Sequence, residues 1–225
     1  MIRYYHDVDQ GSERWHDLRC GILTASEIKL ILTPTLRPAR NDKERAHMYE
    51  LLAQRVTKYT EPAYISDDML RGQEDEIEAR IAYAEHFAPV RECGFITNDD
   101  HGFVIGYSPD GLVGDDGLIE CKSRRQKYQM QTIVTDAVPD EYMLQIQCGL
   151  LVSGRKWLDF ISYCDGLPLF TKRVYPDFEI QEAIIAAAQD FEDRLAVLLG
   201  DYRCWLGMQS GLINTKRNVE QEITL

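Results

Sequence analysis

Two short apolar runs, Phe103-Val104-Ile105-Gly106-Tyr107 and Leu118-Ile119-Glu120-Cys121, lie on either side of the turn sequence Gly114-Asp115-Asp116-Gly117. Both runs are β-prone, and turn chemistry of this strength between them predicts a hairpin. That hairpin dictates where three polar side chains go. Asp110, in Pro109-Asp110-Gly111, falls near the end of the first strand, and Glu120 and Lys122 lie on the second. Side chains alternate faces along a strand, so Glu120 and Lys122 share one face. Cys121 then points away and offers only its backbone carbonyl. Two carboxylates and an amine in this spacing suit metal-dependent phosphodiester cleavage. Hard carboxylate oxygens can hold Mg²⁺, and the ion neutralises a scissile phosphate and lowers the pKa of a water. The bland alternative is a solvated surface hairpin carrying one Glu/Lys pair.

At 225 residues the chain is long enough to bury a full hydrophobic core as one domain, residues 1–225. No apolar run approaches the length of a membrane span, and Met1-Ile2-Arg3-Tyr4-Tyr5-His6 lacks the apolar core of a secretory signal. The expected compartment is the cytoplasm, with no membrane contact. Cys20, Cys93, Cys121, Cys148, Cys164 and Cys204 are scattered without a CxxC pair, which argues against structural zinc and iron–sulfur clusters. A disulfide framework is not expected either. The net charge of −12 would by itself repel nucleic acid, but it is unevenly spread. Residues 61–101 hold eleven acidic side chains against three arginines. Arg37, Arg40, Lys43, Arg45, Arg55 and Lys58 outnumber the acids among them, and Arg124-Arg125-Gln126-Lys127 follows directly after Lys122. A locally basic groove can engage phosphates on an acidic protein, so charge neither supports nor excludes DNA.

Residues 17–32 read as a short helix, a turn at Gly21 and a second helix capped near Thr24 or Ser26. Asn41 opens a helix over 41–59, and a third spans 67–87 with Ile77, Ile81, Ala84 and Ala88 on one stripe. Strands are expected over 91–97, 102–107 and 117–122. A helix over 141–152 stops at Ser153-Gly154. Strands over 156–163 and 169–175 follow, joined at Asp165-Gly166-Leu167-Pro168. Asp177 opens a long amphipathic helix through Ile180, Ile184, Ala187, Phe191, Leu195 and Leu198. Residues 208–225 lack periodicity and read as a tail or packing arm. This order predicts an α+β or mixed α/β layer fold.

Three further segments carry candidate residues. Glu76 shares a helix face with Ala79, Tyr83 and Phe87 at the border of the apolar side, where it can supply another metal ligand. Glu74, Glu78 and Glu85 face solvent, and a fully solvated acidic face is the competing reading. Gln145 and Gln147 interrupt an apolar helix. Gln145 can position a water or a phosphate oxygen, or simply make a structural hydrogen bond. Near the N-terminus, a Ser/Thr pair opening a helix offers N–H groups to a phosphate, and Arg19 can clamp the same group. Plain capping, with Trp15 as a core anchor, is the alternative there.

The segments QGSERWHDLRCGILTASE, RGQEDEIEARIAYAEHF, YSPDG with LIECKS, and EYMLQIQCGLLV occur in that order over residues 10–152. Together they resemble the phage lambda exonuclease-like family of viral recombination alkaline exonucleases, the YqaJ type. The resemblance implies a restriction-endonuclease-like PD-(D/E)XK core, a central mixed sheet flanked by helices. It implies a 5′-to-3′ exonuclease on double-stranded DNA ends that releases mononucleotides. The cofactor would be Mg²⁺, one or two ions, with Mn²⁺ as a substitute. A homotrimer ring, and a single-strand annealing protein that receives the 3′ strands, are likewise implied. Residue by residue, Asp110 and Glu120 match the shared metal ligands, with the Cys121 carbonyl beside them. Glu76 matches the upstream acidic ligand, Lys122 the catalytic lysine and Gln145 the first glutamine of the QxQ helix motif. Arg19 and Ser26 match the pair that holds the 5′-phosphate. The loop over 32–41 aligns poorly, and beyond Val152 the likeness is architectural only. The alternatives are a repair or CRISPR-adaptation-type nuclease on the same core, and a catalytically idle DNA-end-binding module. The scattered cysteines disfavour the iron–sulfur members of the former.

Overall fold

The structure, a computed structural model, describes residues 1–62 and 66–217. In chain order it has β1 (Ile2–Tyr5), α1 (Glu13–Arg19), β2 (Leu23–Thr24), a 3-10 turn (Ala25–Glu27), α2 (Ile28–Ile31), α3 (Asp42–Thr57) and α4 (Asp67–His86). There follow β3 (Val90–Arg91), β4 (Phe95–Asn98), β5 (Ile105–Tyr107), β6 (Gly111–Val113) and β7 (Gly117–Ser123). The remainder is α5 (Gln126–Thr135), α6 (Asp140–Ser153), β8 (Trp157–Tyr163), β9 (Phe170–Val174) and α7 (Phe178–Met208). Local chemistry fixes several ends. Asn41 caps α3 by accepting from the N–H groups of Lys43 and Glu44, and Asp177 caps α7 from Glu179 and Ile180. Gly154 ends α6 at φ 67°, a left-handed conformation that a glycine adopts without strain.

The strands form two mixed sheets, one in the order β1-β4-β5-β2 and the other in the order β3-β6-β7-β8-β9. The five-stranded sheet is the central layer. On one face Leu118 and Phe160 pack into the main core with Leu144, Leu150, Ile184 and Phe191 of α6 and α7. On the other, Ile119, Cys121 and Ile161 meet Ala79 and Tyr83 of α4. The mixed α+β class, with a central mixed sheet flanked by helices, is therefore as expected. No helix among the described residues is long and apolar enough to cross a membrane.

Four local expectations are corrected. The partner of β7 in the hairpin is β6, with Leu112 opposite Leu118, whereas the run 103–107 supplies β5 to the other sheet, between β4 and β2. Asp110 therefore sits between two sheets. The expected strand over 91–97 is two strands in different sheets, because the backbone turns at Cys93-Gly94. There a Cβ on Gly94 would lie 1.9 Å from the Val8 carbonyl oxygen. On α4, Ile77 and Ile81 are about half exposed, and Ala79 and Tyr83 are the residues that face the sheet. Helix α5 was not foreseen: the residues it buries, Gln129 and Thr132, are polar, and its apolar Tyr128, Met130 and Val134 are exposed. In the tail, residues 209–217 are irregular and exposed, and the expectation for 218–225 lies outside the described residues.

Candidate active site

β7 and β8 run parallel, with Glu120 opposite Phe160, and parallel neighbours need a crossover. Helices α5 and α6 provide it, which returns α6 across the face of β7 that bears Leu118, Glu120 and Lys122. Glu120 is almost fully buried, and a buried carboxylate is tolerable only when well paired and hydrogen-bonded. Its Oε1 accepts from Lys122 Nζ at 2.6 Å and from Gln145 Nε2, and its Oε2 accepts from the Tyr107 hydroxyl at 2.8 Å. Burial alone would lower the Lys122 pKa, but Glu120 and Asp110 outweigh it and hold the amine above its ordinary value, so it is protonated.

Asp110 stands immediately before β6, and its Oδ2 accepts from the backbone N–H of Cys121 at 2.6 Å. Burial, then the charges of Glu120 and Glu76, push its carboxyl well above the usual range, against Lys122 and the Cys121 N–H. The Glu76 carboxyl is raised as well, first by burial and then by Glu120, with Arg80 and Lys122 opposing. Glu76 and Asp110 line one cavity of about 230 Å³ together with Gln10, Arg80 and Glu92. Helix α4 holds Glu76 there: Ser123 Oγ, at the end of β7, donates to Asp75, and Tyr83 donates to Asp159 of β8 at 2.6 Å. Glu74 and Glu78 are exposed, so Glu76 is the acid of that run that reaches the cavity.

Glu120 thus raises the carboxyls of both Asp110 and Glu76, and the three carboxylates form a donor set suited to a hard divalent cation, which would relieve their repulsion. Among the described residues no three Asp, Glu, His or Cys side chains converge as a ready-made cage; Glu120 is turned into Tyr107, Lys122 and Gln145. The Cys121 thiol, raised by burial and by the nearby carboxylates, stays protonated and lies in the apolar cluster under α4.

Arg19 Nη1 donates to Ser108 Oγ at 3.1 Å, and its guanidinium stacks 4.2 Å from the Trp15 ring centroid. Trp15 Nε1 donates to the same Ser108 oxygen at 2.9 Å. Arg19 thus abuts the Ser108-Pro109-Asp110 segment. Ser26 is exposed, 3.4 Å by its hydroxyl from Thr24 Oγ1. The expected helix there is only a 3-10 turn leading into one turn of α-helix. The Thr24 N–H and hydroxyl both donate to Glu27. Part of the basic run 37–58 is spent within the fold, since Arg55 pairs with Glu192 at 2.6 Å and Arg40 with Asp190 at 2.7 Å.

The structure thus gathers Asp110, Glu120, Lys122, Gln145 and Glu76, and sets Arg19 next to them through Ser108. Sequence reasoning missed Tyr107 and Ser108, although both stand beside Pro109-Asp110. Gln147, the other glutamine of α6, is structural: it bonds the backbone of Tyr175 and Asp177 and ties α6 to the start of α7.

The profile of the YqaJ-like viral recombinase domain matches residues 14–156, more than half of the chain. Among solved structures, the alkaline exonuclease LHK-Exo from Laribacter hongkongensis is 32% identical, with a TM-score of 0.72, over 86% of this chain and 100% of that one. The same enzyme in complex with dAMP superposes with a TM-score of 0.68 at the same identity and coverage. A phage-related exonuclease from Haemophilus somnus 129PT, 14% identical over 79% of this chain and 96% of its own, shares the fold with a TM-score of 0.52. The sequence matches none of the curated proteins. The fold is that of the restriction-endonuclease-like exonucleases, and the chain belongs to the YqaJ-like viral recombinase family.

Proposed function

We propose that the protein is a divalent-metal-dependent exonuclease that degrades duplex DNA from its 5′ ends, releases mononucleotides and leaves 3′ single strands for recombination by annealing. The observation that carries this reading is the Asp110–Glu120–Lys122 cluster, built around the buried Glu120 with Glu76 at its rim, in a chain that is 32% identical to an alkaline exonuclease. Mg²⁺, as one or two ions, fits the donor set, with Mn²⁺ as a substitute; Asp110, Glu120, Glu76 and the Cys121 carbonyl would hold it. When bound, such an ion neutralises the scissile phosphate and lowers the pKa of the attacking water. The protonated Lys122 adds a fixed positive charge where negative charge develops on the phosphate. Gln145 holds Glu120 in place. Arg19 and Ser26 seat the terminal 5′-phosphate, which sets the register of each cut. A homotrimer ring and a single-strand annealing partner follow from the family resemblance alone, and sedimentation at working concentration tests the former.

Linear duplex labelled at either the 5′ or the 3′ end, incubated with Mg²⁺ or EDTA, tests the whole reading. Immediate release of the 5′ label as mononucleotide, in Mg²⁺ only, is the expected result. Early release of the 3′ label would reverse the polarity, and no release from either end would leave an end-binding module.

A further inference from the structure

We propose that Tyr107 is the positioning residue for Glu120, and that Gly149 lacks a side chain in order to admit it. The inference rests on Glu120 belonging to the cleavage site. Tyr107 ends β5 in the four-stranded sheet, whereas Glu120 lies on β7 in the five-stranded one. The 2.8 Å bond from the phenol to Glu120 Oε2 therefore ties the two sheets together at the site. The Tyr107 side chain is fully buried, where a hydroxyl without a partner is costly, and Glu120 is the partner it finds. Above the ring passes α6. A Cβ at Gly149 would come within 2.7 Å of Tyr107 Cζ and 2.9 Å of Cε1, so the hydroxyl end of the ring occupies the space that the glycine leaves.

Gly149 lies four residues after Gln145, on the same side of α6. One helix thus supplies both a donor to Oε1 and the slot for the donor to Oε2. An ionised carboxylate offers roughly four lone-pair positions. Tyr107, Lys122 and Gln145 fill three of them, which leaves about one for a cation and fixes the plane of the group. Among the described residues the phenol is the hydrogen-bond donor on the Oε2 side, so without it the carboxylate loses the bond that fixes its rotation. Tyr107 would then govern how well the site holds a metal while touching neither metal nor DNA.

Tyr107→Phe keeps the ring and removes only the donor. Calorimetric titration of Mn²⁺ into the protein without DNA should give a Kd about ten- to hundred-fold weaker than wild type, the usual loss when a metal-holding side chain loses its supporting bond. The kcat at fixed Mn²⁺ should fall in parallel, with KM for duplex ends unchanged. Gly149→Ala should weaken Mn²⁺ binding in the same way by displacing the ring, and the double variant should lose no more than either single one. A lowered thermal midpoint with intact Mn²⁺ affinity would reduce Tyr107 to a structural bond and overturn the proposal. Additive losses in the double variant would overturn the role of Gly149. A crystal structure of Tyr107→Phe separates this inference from the nuclease reading. Glu120 unmoved there overturns the inference, even if the wild type cleaves DNA. Glu120 turned away supports it, even if the wild type proves inactive and the nuclease reading fails.

Discussion

At the scale of single residues, the site is a contest between burial and charge. Lys122 is held protonated by Glu120 and Asp110, so its part lies in the chemical step. Lys122→Ala should abolish cleavage in Mg²⁺ while leaving end binding close to wild type, and should lower the unfolding midpoint because buried Glu120 loses its charged partner. Loss of duplex binding equal to the loss of rate, in a filter-binding assay, would assign the lysine to substrate capture instead. Asp110 shows the cost of the arrangement. Its folded-state carboxyl titrates above its unfolded value, first because it is buried and then because Glu120 and Glu76 surround it. Such a group contributes stability that is fully present below the unfolded pKa and lost as pH rises through the folded one. The share of the metal-free protein's stability that Asp110 contributes should therefore fall as pH climbs out of the carboxylate range towards neutral. Asp110→Asn keeps an oxygen for the Cys121 N–H and removes the charge. In EDTA at neutral pH this variant should be more stable than wild type by about 0.5–2 kcal/mol, a difference that should vanish below pH 4. Urea titrations at the two pH values would measure it; equal stability at neutral pH would show that Asp110 is not strained by its neighbours.

At the scale of elements, α4 and β7 do most to build the site, and they differ in how legible they were. The alternation on β7 placed Glu120 and Lys122 on one face and Cys121 on the other from sequence alone, because period-two geometry leaves no choice. Asp110 was located correctly beside β7 but for the wrong reason. β6 is three residues, Gly111-Leu112-Val113, too short to compete with the longer β-prone run that became β5. Helix α4 was found, yet its inward face was misjudged. Ile77 and Ile81 are the most apolar residues in that stretch, but the sheet beneath accepts the small Ala79 and the hydroxyl-bearing Tyr83, whose partner Asp159 is remote in sequence. A hydrogen bond across 76 residues leaves no periodic trace. That bond is what seats α4. Asp159 also takes two bonds from Arg173, at 2.8 and 2.9 Å, so it remains a paired charge if Tyr83 is changed. Tyr83→Phe should therefore cost about 1.5–3 kcal/mol, the range for a hydrogen bond to a charged group. Amide exchange should rise along α4 while β8 and β9 keep their protection. Unchanged exchange in α4 would mean that apolar packing through Ala79 suffices to hold the helix.

At the scale of the whole molecule, the net charge of −12 and the three mutually repelling carboxylates set a common expectation: the apoprotein is less stable than the protein with its cation. A ligand that binds only the folded state stabilises it by RT ln(1 + [L]/Kd), about 2.7 kcal/mol at a hundredfold excess over Kd. For a chain of 225 residues, each kcal/mol moves the midpoint by about 2–4 °C. Saturating Mg²⁺ should thus raise the thermal midpoint by about 5–10 °C over EDTA, with no DNA present. Simple screening of surface charge offers a competing cause, and it would act on any variant and with any salt of equal ionic strength. The two are separated by comparing Mg²⁺ with Na⁺ at matched ionic strength, in wild type and in Asp110→Asn. Wild type should rise in Mg²⁺ only, whereas Asp110→Asn, the more stable protein in EDTA, should not respond and should be overtaken. Because the readout is unfolding and not cleavage, it tests the cation site apart from polarity, 5′-phosphate recognition and assembly. Equal shifts in both proteins and both salts would place the cation's effect on the acidic surface, and the three carboxylates would then be a strained cluster with no ion to relieve it.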